Sequence, residues 1–434
     1  MKSPLLPPSV APAGRRPRTT ATRSDRSYSP RTHLFAVLGL VLAVFTQSVL
    51  VAAKSPAVAQ TPAELKAIPA RLQNFVDEEV ISGAVTLVAR SDQVLSLEAV
   101  GCADLATQRP MRTDSVFWIA SMTKPITAVA VLMLQDEGKL SVEDPVEKYL
   151  PEFKGQWLVS EKTKDRQVLV PAPRPITLRD LLTHTSGLGD VPSPRPHATL
   201  AELVMAYARE PLQFPPGSKW SYSNPGINTL GRIVEVVSGQ GYADFSQRRI
   251  FTLLGMKDTT FWPTLAQQKR LAKSYQPKAD GRGLEETSIF FIKGDLGDRR
   301  RTPFPAGGLF STAQDIGRFY QMMLNGGEWR GQRLLSREAV AQMTRTQTGD
   351  LKTGFTDGMS YGFGFAVVKQ PQGVTGMLSA GAFGHGGAYG TQSWADPAKD
   401  RALILMLQRA KLPNADASDV RKAFQETAVG ALAQ

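Results

Sequence analysis

The segments of this chain that can form strands lie at its two ends, with a helical stretch between them. Near the start, Gly83–Ala89 (GAVTLVA) and Val94–Val100 (VLSLEAV) flank Ser91-Asp92 and read as a β-hairpin. Strand patterns return only late, at Gly362–Val368, near His385–Tyr389, at Gln392–Ala395 and at Ala402–Gln408. Residues 141–275 alternate helical patterns with Pro- and Gly-rich loops. A sheet must therefore be assembled from both ends around a helical insert. The expectation is an α+β fold, an antiparallel sheet flanked by helices plus a helical domain. The sheet part would take residues 60–120 together with 295–434, and the helical part 121–294. Leu65, Ile68, Leu72, Phe75 and Val76 share one helical face after the start signal Thr61-Pro62-Ala63-Glu64. Pro125–Glu137 carries Ile126, Val129, Leu132 and Met133 on one face and stops at Gly138; a last helix covers about Asp416–Leu432.

The formal charge of +12 suggests a polyanion partner until its location is considered. Residues 1–59 hold eight cations and one acid, so the remainder carries only +5. That excludes nucleic acid as the expected partner. The same segment is an address: a basic start, the apolar run Leu34–Phe45, and Ala57-Val58-Ala59 match a secretory signal peptide cut after Ala59, with Ala53 as second choice. Uncut, Leu34–Ala53 would span a bilayer as an anchor, the one membrane contact expected. Either way the folded part is exported, periplasmic or extracellular. Cys102 is the lone cysteine, which forbids an internal disulfide, and the four histidines include no close pair. No metal and no cofactor is expected.

Three short motifs carry chemistry. In Ser121-Met122-Thr123-Lys124 a helix start would put Ser121 and Lys124 at i and i+3 on one face. The Ser121 N–H would sit at the positive end of the helix dipole, and the amine can help remove the hydroxyl proton. Alone, the tetrapeptide also reads as a capping serine with a surface lysine. The apolar lead-in Val116–Ala120 and the apolar helix behind it bury Lys124, and burial of an ammonium needs a reason. In Tyr222-Ser223-Asn224 a phenol beside a lysine can have its pKa lowered and act as a base, and the Asn224 amide can bond a substrate carbonyl and the lysine. Otherwise this is a polar turn. In His385-Gly386-Gly387-Ala388-Tyr389-Gly390 the glycines let another backbone approach a strand edge; the plain alternative is a glycine-rich turn.

Other segments compete for attention. Lys352-Thr353-Gly354 lies in a polar stretch and reads as a surface loop. Gly358-Met359-Ser360-Tyr361-Gly362 spells a nucleophile elbow, but no acid lies between Ser360 and the only later histidine, His385. His184, in LLTHTSGL, reads as a brace at a helix–loop junction, and His197 as solvent-exposed. Arg299-Arg300-Arg301 reads as a solvated loop, with contact to a substrate carboxylate the lesser reading.

Together the motifs resemble the serine β-lactamase and penicillin-binding-protein superfamily. ITLRDLLTHTSGL (Ile176–Leu188), FPPGSKWSYSNPGINTLGRIVE (Phe214–Glu235), LGMKDTTF (Leu254–Phe261), FPAGGLFSTAQDIGRF (Phe304–Phe319) and YGFGF (Tyr361–Phe365) look like its class C branch. GGAYGTQSWADP (Gly386–Pro397) is most similar to family VIII carboxylesterases. His385 departs from the lysine of class C β-lactamases and from the tryptophan of many such esterases. It is similar to the histidine of some D-Ala-D-Ala peptidases. The resemblance implies a β-lactamase-like fold and a cofactor-free serine hydrolase working through an acyl-enzyme on a small-molecule ester or amide, first of all small carboxylic esters. β-Lactam or D-amino-acid peptide hydrolysis is the alternative, and a non-hydrolytic penicillin-binding sensor a third reading. By the same resemblance Ser121, Lys124 and Tyr222 are catalytic, the N–H groups of Ser121 and Ala388 form the oxyanion hole, and Asn224, His385, Gly386 and Gly387 contact substrate.

Overall fold

The last long strand of the chain pairs with the first. In the computed structural model, which describes residues 63–290 and 292–432, Arg401–Met406 runs antiparallel to Gly83–Ala89 with Val85 opposite Met406 and Ala89 opposite Ala402. The sheet has eight strands in the order Met359–Tyr361, Ala366–Val368, Phe383–Gly386, Gln392–Asp396, Arg401–Met406, Gly83–Ala89, Val94–Asp104, Arg109–Pro110. All the named pairings are antiparallel. Gly83–Ala89 and Arg401–Met406 are buried at every position. This is why both read as continuous apolar runs rather than alternating ones.

One face of the sheet is covered by the helices Ala67–Asp77 and Asp419–Ala431. Leu65, Ile68 and Leu72 pack there with Val420, Phe424 and the sheet residues Val88, Leu403 and Leu405. The opposite face carries Ala313–Leu324, and beyond it the long helix Thr123–Asp136, in which Thr123 through Leu134 are all buried. The expected division into a sheet part and a helical part does not separate the core: Val85, Leu87 and Ile404 of the sheet belong to the same cluster as Leu178, Leu181, Leu230 and Ile233. The described residues form one compact unit. The signal or anchor expected in 1–59 and the Thr61-Pro62 helix start lie outside the described residues.

Several boundaries differ from the sequence reading. Gly362–Val368 is not one strand. A four-residue loop, Gly362–Phe365, turns between Met359–Tyr361 and Ala366–Val368, with Tyr361 opposite Ala366. Phe363 and Phe365 are driven into the core from that loop. Gly364 adopts φ +74, and a Cβ there would lie 2.6 Å from the Ala128 Cβ on the Thr123–Asp136 helix. The strand near His385 begins earlier, at Phe383, and ends at Gly386. The final helix starts at Asp419 because Ser418 caps it, its side chain accepting from the Arg421 N–H. The helical middle also holds a hairpin, Trp157–Lys162 with Gln167–Pro171. It is mostly exposed on both faces, so it left no alternating pattern to read.

Gly364→Ala combines left-handed strain with a steric clash, and is expected to lower unfolding free energy by about 2 kcal/mol or more. Gly239→Ala, at φ +68 in open space, should lose only about 1 kcal/mol, the strain term alone. Urea unfolding of the two variants checks the difference; equal losses would remove the close contact from the account.

Candidate active site

Ser121 and Lys124 do start a helix. A single 3-10 turn, Ala120–Met122, leads into Thr123–Asp136, and Thr123 Oγ1 donates to the Ala120 carbonyl at 2.7 Å. Ala120, just before the serine, sits at φ +46. A non-glycine residue there costs about 1–2 kcal/mol, so the surrounding packing imposes the turn. Ile119 N–H donates to Leu309 O, and Leu309 N–H to Thr123 Oγ1, which clamps the turn from the following segment.

Lys124 is fully buried. Its Nζ lies 3.1 Å from Ser121 Oγ, 2.9 Å from Asn224 Oδ1 and 2.7 Å from Ala306 O. Burial holds its pKa well below the ordinary lysine value, and Asp190 opposes the shift by charge. Two of the three partners are carbonyl oxygens that can only accept, so two N–H bonds are committed to them. The third position faces Ser121. An ammonium donates there, whereas a neutral amine presents its lone pair to the Ser121 hydroxyl proton.

Asn224 opens the helix Asn224–Ser238, capped by Ser223, whose hydroxyl accepts from the Gly226 N–H at 3.1 Å. One turn on, Asn228 Oδ1 accepts from the Ala306 N–H at 3.0 Å. Asn228 therefore fixes the peptide whose carbonyl receives Lys124, a role the sequence reading missed together with Ala306 itself. Tyr222 is half-buried and hydrogen-bonded to Ser121. Its ring centroid lies 4.5 Å from Lys124 Nζ, so the lysine sits over the ring face. The phenol is not the lowered one that the sequence suggested: burial pushes its pKa up, and the Ser121 bond only partly offsets this.

The third motif lies against the same turn. A Cβ on Gly387 would lie 2.1 Å from Thr391 Oγ1 and 2.6 Å from Ile119 O, and one on Gly386 would lie 1.9 Å from Asp416 Oδ1. The backbone contact leaves room only for glycine at 387, whereas at 386 the neighbours are side-chain ends. Gly387 thus brings the strand end, and Ala388 after it, to the Ser121 turn. Ala388 itself is exposed, and among the described residues its N–H has no hydrogen-bond partner.

His385 differs from its expected place facing substrate. It is buried, with Nδ1 2.7 Å from Gly386 O and Nε2 3.0 Å from the Tyr361 hydroxyl. Burial, then the Lys124 charge, lowers its pKa to about 3. His184 does brace a helix–loop junction, as expected. It also reaches further: its Nδ1 accepts from the Ser223 N–H at 3.1 Å and its Nε2 lies 3.1 Å from the same Tyr361 hydroxyl.

The competing segments resolve plainly. Ser360 is buried on a strand with Oγ 3.2 Å from Thr348 Oγ1. Arg301 is buried and donates to the carbonyls of Asp295, Phe261 and Leu296; Arg300 pairs with Asp298, and Arg299 lies over Trp262. Arg300 and Arg301 are thus engaged within the protein. His197 is exposed in a loop. Lys352-Thr353-Gly354 is a loop as expected, yet it lines a cavity of about 530 Å³ with Gln372, Val374 and Asn414. Phe355, next in sequence, packs edge-on against Tyr222 with centroids 5.2 Å apart. No motif signals this contact, since one aromatic in a polar loop is unremarkable.

A β-lactamase family model matches residues 68–427. The chain is 32% identical over 374 residues to Protein Rv1367c of Mycobacterium tuberculosis, covering 80% of this chain and 91% of that protein. It is 30% identical over 382 residues to esterase EstB of Burkholderia gladioli, covering 79% and 91%. Among solved structures it resembles EstCE1, described as a hydrolase with promiscuous acyltransferase activity, at a TM-score of 0.70 and 23% identity, over 86% of this chain and 98% of that one.

Because His385 is buried and neutral, the folded state refuses a proton that the unfolded chain takes up below pH about 6.5. The unfolded state therefore gains as pH falls from about 6.5 toward 3. Relative to His385→Gln, the wild type should lose about 1.4 kcal/mol per pH unit over that window. Urea unfolding at pH 6 and pH 4 reads this; parallel stabilities would mean that His385 titrates normally.

Proposed function

The chain belongs to the β-lactamase family, and from that premise we propose a serine carboxylesterase that works on small esters through an acyl-enzyme. Ser121 is the nucleophile and Lys124 its base. As a neutral amine, Lys124 accepts the Ser121 proton while its two N–H bonds stay on Asn224 and Ala306. The Ser121 oxygen then bonds to the ester carbonyl carbon, and the developing oxyanion is taken by the N–H groups of Ser121 and Ala388. Collapse breaks the bond to the alcohol oxygen, which leaves with a proton passed back from Lys124 by way of the Tyr222 hydroxyl. Water then attacks the Ser121 ester by the reverse route and releases the acid. Tyr222, high in pKa, serves as a neutral hydroxyl in this scheme. Asn224 keeps its amide nitrogen for the substrate carbonyl, and Gly386 and Gly387 form the backbone edge along which the substrate lies.

The observation that carries the ester reading is the state of His385. Both its ring nitrogens are engaged within the protein and it is uncharged, so that strand end offers no cation to an anionic substrate. A neutral ester needs none. The similarity to EstB supports the same reading.

Ser121→Ala should remove turnover of p-nitrophenyl butyrate and covalent labelling by a fluorophosphonate, a loss on the order of 10⁶-fold. Ser360→Ala should keep both. The wild type should turn over p-nitrophenyl butyrate with a kcat/KM well above that for a chromogenic cephalosporin. The reverse order would replace the esterase reading with the β-lactamase one, and a single acylation without turnover would favour the sensor.

A further inference from the structure

Five groups form a single hydrogen-bond chain beneath the site, and its ends fix the direction of every link. The Ser223 N–H can only donate, so His184 Nδ1 accepts and the His184 proton is on Nε2. At the other end the Gly386 carbonyl can only accept, so the His385 proton is on Nδ1 and its Nε2 is bare. Between them stands one hydroxyl, Tyr361 Oη, 3.1 Å from His184 Nε2 and 3.0 Å from His385 Nε2. It accepts from the first and donates to the second. A phenol suits this place because it does both with a single oxygen. All three side chains are buried, so an unpaired member would have no water to turn to.

The ends of the chain are the two motif segments that must meet across the site. His184 holds the Tyr222–Asn224 turn at two points, since the Ser221 N–H also donates to the His184 carbonyl at 2.9 Å. His184 keeps φ +60 to do so, which marks its placement as imposed by the packing around it. His385 is the residue before Gly386 and Gly387. Tyr361 lies two strands away: it pairs with Ala366, which in turn pairs with Gly384.

We propose that Tyr361 is a positioning residue, whose hydroxyl sets the spacing between the Tyr222–Asn224 turn and the Gly386–Ala388 strand end through the histidines on either side. This rests on the reading of Ser121 as nucleophile, since the spacing matters only if both segments serve the same reaction. It gives a role to His184 and His385 that needs no contact with substrate. It also accounts for a tyrosine opening YGFGF, where a phenylalanine would fill the same volume.

The test uses the full chain labelled with ¹⁵N at histidine. Its four histidines are His33, His184, His197 and His385, and His184→Asn and His385→Asn assign the two of interest. At pH 7 the long-range ¹H–¹⁵N spectrum should show both rings neutral, His184 protonated on Nε2 and His385 on Nδ1. In Tyr361→Phe each ring keeps the end contact that fixes its tautomer, and the Nε2 signals of both should shift because their bonds to the hydroxyl are lost. The kcat on p-nitrophenyl butyrate should fall about tenfold or more with KM nearly unchanged, because a displaced oxyanion donor weakens the transition state rather than binding. A wild-type His385 protonated on Nε2 would overturn the proposal. So would a folded Tyr361→Phe with kcat within about twofold of wild type. The wild-type tautomers are read without substrate, so they test the chain even if Tyr361→Phe does not fold or the ester reading fails.

Discussion

Everything in the site follows from burying one amine. Lys124 lies on a helix whose residues Thr123–Leu134 are all buried, and its own side chain is fully buried. Leaving such a group unpaired would cost several kcal/mol. The fold supplies three oxygens from three separate stretches of chain: Ser121 from the preceding turn, Asn224 from the start of the helix Asn224–Ser238, and Ala306 from the FPAGG segment. Satisfying the amine thus assembles the site. It also sets the chemistry, because two of the oxygens cannot give up a proton and the third can.

The neighbouring groups conform to that choice. Burial and then the Lys124 charge hold His184 and His385 neutral, while burial raises the Tyr222 and Tyr361 phenols. Two carboxylates act on this set by charge: Asp190 partly supports the Lys124 ammonium, and Asp416 adds to the rise of the Tyr222 and Tyr361 phenols. In such a setting a small change in where backbone N–H groups point has a large effect on a developing oxyanion. The arrangement relies on packing to place them: Gly387 permits close approach to Ile119 and Ala120, and Ala120 is held in a left-handed turn.

The sequence was most informative where local pattern and tertiary role coincide. Gly83–Ala89 and Arg401–Met406 read as strands because the sheet's centre buries both faces of each. Ser121 and Lys124 could be paired because helical spacing alone puts them together. Ala306, Asn228 and Tyr361 stayed hidden because their roles arise from contacts far away in the chain, made through a carbonyl, an amide or a hydroxyl that any loop or helix can carry. His385 was recognised as unusual, but its direction was misjudged. Nothing local says that its Nε2 meets Tyr361, 24 residues away, rather than a substrate. The Trp157–Pro171 hairpin escaped because its apolar residues come in runs, Trp157–Val159 and Val168–Val170, that do not alternate with polar ones.

The central claim is that Lys124 works as a neutral amine made so by burial, and the pH dependence of Ser121 phosphonylation tests it most directly. The rate of labelling by a neutral fluorophosphonate, with the modified peptide mapped to Ser121, should rise with pH through one limb. Its midpoint should lie well below the ordinary lysine value of about 10.4, since burial depresses it. A limb centred at the ordinary value, or a rate that shows no limb at any pH below it, would mean that Lys124 does not take the proton and would contradict the account.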